Sequence, residues 1–146
     1  MSGIVVGIDG SPAADAALAF ALEEAKLRKL PLRIVCGWEV PAIEYAGAAF
    51  AATPEISTEA ERLADEVLER AAGLVGTNPG IHVETVSEQG HPANVLLEQA
   101  KGATLLVVGT RGRGGVKSIV LGSVSQAIAH HHHGPIAIIP APHDGG

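Results

Sequence analysis

The sequence predicts one α/β domain in which helices cover both faces of a parallel β-sheet. Short apolar segments alternate with helical segments along the 146 residues, of which 47% are apolar and only 3% aromatic. A core built from Ala, Val, Ile and Leu favours helices packed on a buried sheet. Because strands that alternate with helices pair in parallel through right-handed crossovers, we expect a doubly wound, three-layer α/β/α fold.

The chain opens with a predicted strand, helix and strand. The apolar run at 3–9 is the first strand, and Ser11 and Pro12 then form a typical helix start. Apolar residues recur at helical spacing over 14–25. After a break at proline 31, residues 32–38 form a second strand rich in Ile and Val.

The next segment, 41–56, has no clear period and is predicted to be a long loop. Thr58 and Glu61 then have the spacing of a capping box. An amphipathic stripe continues over 60–75. The second helix is therefore expected to begin near Thr58.

Three further strands and two helices are predicted in the second half. Residues 81–85 form the third strand, and Gly-His-Pro at 90–92 opens the third helix. The most apolar strand, 104–108, is expected near the centre of the sheet. Ser123 leads into the fourth helix, and a fifth strand at 136–139 is bounded by prolines.

Composition excludes several classes of protein. The net charge of −6 argues against general nucleic-acid binding, which selects basic surfaces. No apolar run approaches the roughly 20 residues that span a bilayer, so we expect a soluble, cytoplasmic protein. Cys36 is the single cysteine, which rules out an internal disulfide and a cysteine-based metal site.

The charges are unevenly distributed along the chain. Residues 1–98 carry fifteen acids and six bases, whereas 99–143 carry four bases and no acid. An anion site is therefore expected in the last third of the chain.

The segment from Gly109 to Ser125 is glycine-rich and follows a predicted strand. Glycine allows close backbone approach, so successive N–H groups can converge on phosphate oxygens. The helix after Gly122 adds free N–H groups and a favourable dipole, with the hydroxyls of Ser123 and Ser125 as further donors. The sequence lacks the P-loop pattern and the dinucleotide-binding glycine pattern.

Four consecutive histidines, His130 to His133, raise the question of a metal site. Consecutive residues on a helix point in four directions, so at most two could share one ion locally. A helix C-terminus also favours cationic histidine. We therefore predict no metal site here.

The glycine spacing is similar to that of a known family. Gly109, Gly112 and Gly122-Ser123 reproduce Gly-x2-Gly-x9-Gly-Ser/Thr, the ATP-binding signature of the universal stress protein family. The opening Ile-Val-Val-Gly-Ile-Asp-Gly-Ser, Gly90-x-Pro92 and the final Pro-Ile-Ala-Ile-Ile-Pro strand resemble it too. The resemblance implies a five-stranded parallel sheet of order 3-2-1-4-5, the adenine nucleotide alpha hydrolase-like fold, in a single domain over 1–146.

The resemblance also implies a ligand and its site. ATP is the expected ligand, ahead of AMP and cyclic AMP. Whether Mg²⁺ accompanies the ATP stays open, because the sequence offers no pair of nearby carboxylates that would form a cage for the ion. Asp9 would bind the ribose or the adenine edge and the backbone at Gly37 the adenine. Ribose and phosphates would be held by residues of the glycine-rich segment, namely Gly109, Arg111, Gly112, Gly122, Ser123, Val124 and Ser125.

Three functions remain to be separated. The favoured one is a nucleotide-dependent regulatory or protective protein of the stress response that is not an enzyme. A slow ATPase, or a protein that phosphorylates itself on Ser123 or Ser125, is the alternative, and a dimeric scaffold without ligand is the third. The resemblance further implies a homodimer through the strand at 136–139.

Overall fold

A five-stranded parallel sheet with helices on both faces forms the centre of the protein. The computed structural model describes residues 2–40, 43–45, 48–50, 53–110 and 121–142. Its elements are β1 (Ile4–Gly7), α1 (Pro12–Arg28), β2 (Leu32–Trp38), β3 (Ile43–Tyr45), β4 (Ala48–Phe50), α2 (Pro54–Val75), β5 (Val83–Gln89), α3 (Pro92–Gln99), β6 (Leu105–Gly109), α4 (Ser123–His131) and β7 (Ile136–Ile139).

The sheet order is β5-β2-β1-β6-β7, and every pair of neighbouring strands is parallel. Counted along the chain, these are the third, second, first, fourth and fifth strands of the sheet, so the predicted order 3-2-1-4-5 is confirmed. Val6 at the centre lies opposite Ile34 on one side and Val107 on the other. β6 is an interior strand, as its apolar composition predicts.

Alternate residues of the strands build a core on each face of the sheet, because successive side chains point to opposite faces. On one face, Val6 and Val107 pack with α1 and α2. On the other face, Val5 and Leu106 pack with Ile128 of α4 and with residues of α3. Cys36 is buried in the first of these cores.

Of the four helices in the described part of the chain, three begin with a side chain that accepts a backbone N–H. The Ser11 hydroxyl accepts from Ala14 at 3.2 Å, and the Thr53 hydroxyl accepts from Ile56 at 3.3 Å. At α3 the imidazole of His91 accepts from the Ala93 N–H. Within the described ranges, no helix has the length and apolar character needed to cross a bilayer.

The prediction for 41–56 was wrong. Two three-residue strands, β3 and β4, pair there as an antiparallel hairpin, and α2 begins at Pro54 rather than at Thr58. The Thr58 hydroxyl lies inside the helix and donates to the carbonyl of Pro54 at 2.8 Å. Strands of three residues are too short for an alternation to be recognised, and Thr53-Pro54 supplies the true cap and first position.

Candidate functional site

A cleft lies where the carboxyl ends of β1, β2 and β6 meet the first turns of α3 and α4. We call it the carboxyl-edge cleft. Its volume is about 320 Å³, within the roughly 300–1,000 Å³ typical of small-ligand sites. It is lined by Gly7, Ile8, Asp9, Ala14, Val35, Gly37, Pro92, Leu96, Val108, Gly109, Thr110, Gly122, Ser123, Val124 and Ser125.

One part of the cleft is apolar. Ile8, Val35 and Val108 contribute from the sheet, and Pro92 and Leu96 contribute from α3. Ile8, Val35, Leu96 and Val108 are packed in the two cores, so their positions are fixed before any ligand arrives. Such a surface suits a flat apolar group.

Two glycines of the cleft are required by helix packing. A Cβ on Gly109 would lie 2.8 Å from both the carbonyl carbon and the Cβ of Ala13 in α1. A Cβ on Gly37 would lie 3.0 Å from the Cα of Pro92 and from the Cβ of Val95 in α3. The missing side chains let α1 and α3 approach the ends of the strands, and the backbone of both glycines is left to line the cleft.

The polar part of the cleft is the start of α4. Gly122 is the N-cap residue, with φ −69° and ψ 171°, and it has no side chain that could accept a hydrogen bond. The N–H groups of Ser123, Val124 and Ser125 lie in the first helical turn, where the helix itself provides no acceptor. All three residues line the cleft, so these donors lie beside it at the positive end of the helix dipole.

Hydrogen bonds hold this helix start against the end of β6. The Gly122 N–H donates to the Thr110 carbonyl at 2.7 Å, and the Thr110 N–H donates to the Ile139 carbonyl of β7 at 2.8 Å. The Ser125 hydroxyl lies 3.0 Å from the carbonyl oxygens of both Thr110 and Gly122. The chain therefore leaves the sheet at Thr110 and is fixed beside it again at Gly122.

Asp9 is the one ionisable side chain among the described residues that line the cleft. It is exposed, and its Oδ1 accepts the N–H of Ser11 at 2.9 Å. This bond holds the carboxylate beside the start of α1. A carboxylate in this position can accept hydrogen bonds from hydroxyl groups of a ligand.

The structure brings seven of the nine predicted site residues to this one cleft, namely Asp9, Gly37, Gly109, Gly122, Ser123, Val124 and Ser125. Arg111 and Gly112 lie outside the described residues, as do the basic residues Arg113 and Lys117. That the seven bind a nucleotide stays a prediction.

Sequence reasoning missed several cleft residues, chiefly Pro92 and Leu96 of α3 and the carbonyl of Thr110. A signal for α3 was available, because the helix that begins at Pro92 follows an edge strand of the same sheet and must cross toward its centre. No residue pattern could show that the Thr110 carbonyl anchors α4, since any residue has a carbonyl.

The histidine run lies at the far end of α4 and away from the cleft. His132 caps the helix, and its Nε2 is buried without a hydrogen-bond partner within the described structure. Burial, with a smaller effect from His133, lowers the pKa of His132 below its ordinary value. Within the described ranges, no three His, Cys, Asp or Glu side chains are placed to share a metal ion.

Comparisons with known proteins all indicate the same family. The family model described as the universal stress protein family matches residues 1–140. A universal stress protein of Mycobacterium tuberculosis is 38% identical over 136 residues, which cover 92% of this chain and 44% of the relative. The chain thus spans less than half the length of the curated relatives it matches.

Solved structures show the same fold. The universal stress protein UspA of Lactobacillus plantarum has a TM-score of 0.73 at 21% identity, covering 94% of this chain and 97% of its own. A universal stress protein of Archaeoglobus fulgidus, solved in complex with dAMP, has a TM-score of 0.67 at 25% identity, covering 95% of this chain and 98% of its own.

Proposed function

The chain belongs to the universal stress protein family, and from that premise we propose that it binds an adenine nucleotide, ATP in the first place, in the carboxyl-edge cleft. The observation that carries the proposal is the start of α4, whose first three residues line the cleft and whose N-cap residue is a glycine. Uncapped helix N-termini bind phosphates through their free N–H groups and the dipole. The dAMP complex of the Archaeoglobus relative supports the same ligand class.

The two parts of the cleft suit the two parts of a nucleotide. The apolar part beside Gly37 and Leu96 would receive the adenine, and the carboxylate of Asp9 would accept a ribose hydroxyl. The N–H groups of α4 and the hydroxyl of Ser123 would bind phosphate oxygens. Gly112 belongs to the same proposal through the Gly-x2-Gly-x9-Gly-Ser pattern, and Arg111 belongs to it because its positive charge would neutralise phosphate.

Mg²⁺ would be held mainly by the phosphates. Asp9 is the one carboxylate among the described residues that line the cleft. Proteins usually bind Mg²⁺ through one or two carboxylates together with substrate phosphates, rather than in an all-protein cage. An ion that enters with ATP is compatible with this donor set.

We propose binding without efficient turnover, so that the output is regulatory or protective within the stress response. Phosphoryl transfer needs an oriented nucleophile and a base beside it. The cleft-lining residues offer anion donors, and Asp9 lies at the ribose side of the proposed pose. A cytoplasmic location, where adenine nucleotides are abundant, belongs to the same proposal.

Nucleotide retention and phosphate release distinguish the possible functions. We expect ATP to change the fluorescence of Trp38, the single tryptophan, because it adjoins Gly37 at the proposed adenine side. Saturable binding with no phosphate release over hours would fit the proposed function. Steady phosphate release, or a phosphate on Ser123, would favour the enzymatic alternative. If ATP does not bind, the dimeric scaffold without ligand would be the remaining function.

We also propose that two copies pair through β7. This strand lies at one edge of the sheet, and its four residues, Ile136 to Ile139, are half-buried within one chain. An exposed apolar edge strand presents unpaired backbone groups that seek another strand. The β5 edge differs, because it carries the charged Glu84 and Glu88.

The direction of backbone groups in β7 gives a test of this pairing. The carbonyls of Pro135 and Ile139 accept N–H groups from the β6 side. Because the backbone N–H and C=O groups of successive strand residues point to alternate sides, those of Ala137 point toward β6 and those of Ile138 point outward. Ile138→Pro removes an outward donor and is expected to leave a folded monomer in sedimentation velocity at micromolar concentration. Ala137→Pro, the matched control, is expected to destabilise the sheet itself. A dimeric Ile138→Pro variant, or a monomeric wild type, would contradict the pairing.

A further inference from the structure

Ser125 and Ser123 stand in different surroundings, although both belong to the Gly-Ser-Val-Ser segment. Ser125 is 2% exposed, and Ser11 and Ser125 are the two buried polar residues of the described chain. Ser123 is exposed at the mouth of the cleft. Although both side chains carry the same hydroxyl group, this difference in exposure allows them to have different roles.

The hydroxyl of Ser125 is engaged by the main chain. Its oxygen lies 3.0 Å from the Thr110 carbonyl and 3.0 Å from the Gly122 carbonyl. Carbonyl oxygens only accept, and a hydroxyl has one proton, so Ser125 must donate to one of these two oxygens. Donation to a phosphate would require breaking that internal bond and would leave a half-buried carbonyl with one partner fewer.

This bond orients the start of α4. The Ser125 hydroxyl lies within hydrogen-bond distance of the Thr110 carbonyl oxygen, which also accepts the Gly122 N–H, and the Thr110 N–H donates to Ile139 of β7. Ser125 thus connects the first turn of α4 to two strands of the sheet. The direction in which the free N–H groups of that turn point depends on this connection.

We infer that Ser125 is a positioning residue, which holds the first turn of α4 in its phosphate-binding orientation, while Ser123 is the serine whose hydroxyl meets the phosphate. This inference rests on the proposed function, because the orientation matters only if an anion binds there. The sequence pattern assigns phosphate binding to both serines, whereas this inference assigns phosphate contact to Ser123 and orientation of the helix start to Ser125.

The test compares Ser125→Ala, Ser125→Thr and Ser123→Ala without ligand and with ATP. In the ligand-free protein, we expect Ser125→Ala to speed hydrogen exchange of the Gly122 amide about tenfold and to lower the melting temperature, because one buried hydrogen bond is lost. Its affinity for ATP should fall about tenfold as well. Ser125→Thr, which keeps the hydroxyl, should restore both properties.

Ser123→Ala is the matched control. It should leave the ligand-free exchange and melting temperature unchanged and still weaken ATP binding. Should the added methyl of threonine disturb the buried site, Ser125→Cys, with a weaker donor of similar size, is expected to fall between serine and alanine in both measurements.

Unchanged exchange of the Gly122 amide in Ser125→Ala would overturn the inference and identify Ser125 as a plain phosphate contact or a bystander. Faster exchange with unchanged ATP affinity would also overturn it. Failure of the wild type to bind ATP would instead refute the proposed function, and the wild-type titration alone reveals that outcome.

Discussion

Replacing Gly122 by aspartate is expected to remove nucleotide binding while leaving the protein as stable as before or more so. Gly122 has the extended backbone of an N-cap residue, with angles close to those of Ser11 and Thr53, which cap α1 and α2. An aspartate there would accept the free N–H groups of α4 and favour the helix dipole. The gain in unfolding free energy is a few tenths to about 1 kcal/mol.

The same carboxylate would repel phosphate. At an effective dielectric constant of about 20, two like unit charges about 4 Å apart repel each other by roughly 4 kcal/mol. The affinity for ATP should therefore fall by about a hundredfold or more. Gly122→Asn is the matched control: it caps the same N–H groups without charge, and we expect a loss of about tenfold. Urea unfolding without ligand and titration with ATP measure the two effects. An aspartate variant with wild-type affinity would exclude the start of α4 as the phosphate site.

The second large effect is expected for Gly109→Ala. Its Cβ would lie 2.8 Å from the backbone carbonyl carbon of Ala13, and backbone cannot move without shifting α1 from the sheet. Overpacking of this kind typically destabilises by about 1–3 kcal/mol, and contact with backbone places this variant near 3 kcal/mol. The free energy of unfolding in urea measures it.

Gly73 provides the control for this substitution. It lies inside α2, and a Cβ there would meet nothing within 4 Å. Gly73→Ala should therefore stabilise the protein by about 1 kcal/mol through helix propensity. Should Gly109→Ala keep full stability and lose only nucleotide, glycine at this position would serve the ligand rather than the packing of α1.

Much of the fold followed from the sequence because parallel topology fixes many positions at once. The apolar run of β6 predicted an interior strand, the family resemblance predicted the central position of β1, and Ser11-Pro12 predicted the start of α1. Since all carboxyl ends of parallel strands share one edge, Asp9 and Gly109 could be placed near each other without a structure.

The start of α2 could not be placed, because two start signals lie five residues apart. Thr53-Pro54 repeats the pattern of Ser11-Pro12, while Thr58 and Glu61 fit a capping box. A residue with a cap's chemistry inside a helix bonds back to a carbonyl, as Thr58 does. Local pattern alone does not decide between the two.

The unequal roles inferred for Ser123 and Ser125 had a signal in the sequence. Residues two apart on an α-helix lie about 200° apart around its axis, so the two hydroxyls could not have the same surroundings. Which of them is buried depends on how α4 rests on the sheet. That orientation is set by the carbonyl of Thr110, and no side-chain pattern encodes it.

The most direct test of nucleotide binding at the start of α4 is an NMR titration of the backbone amides with ATP. The amides of Ser123, Val124 and Ser125 should show the largest chemical-shift changes, with smaller changes at Gly37. The account would be contradicted if saturating ATP left the resonances of those three amides unchanged. It would also be contradicted if ATP shifted only residues such as Lys26 and Ile81, which line a groove at the amino ends of β2 and β5.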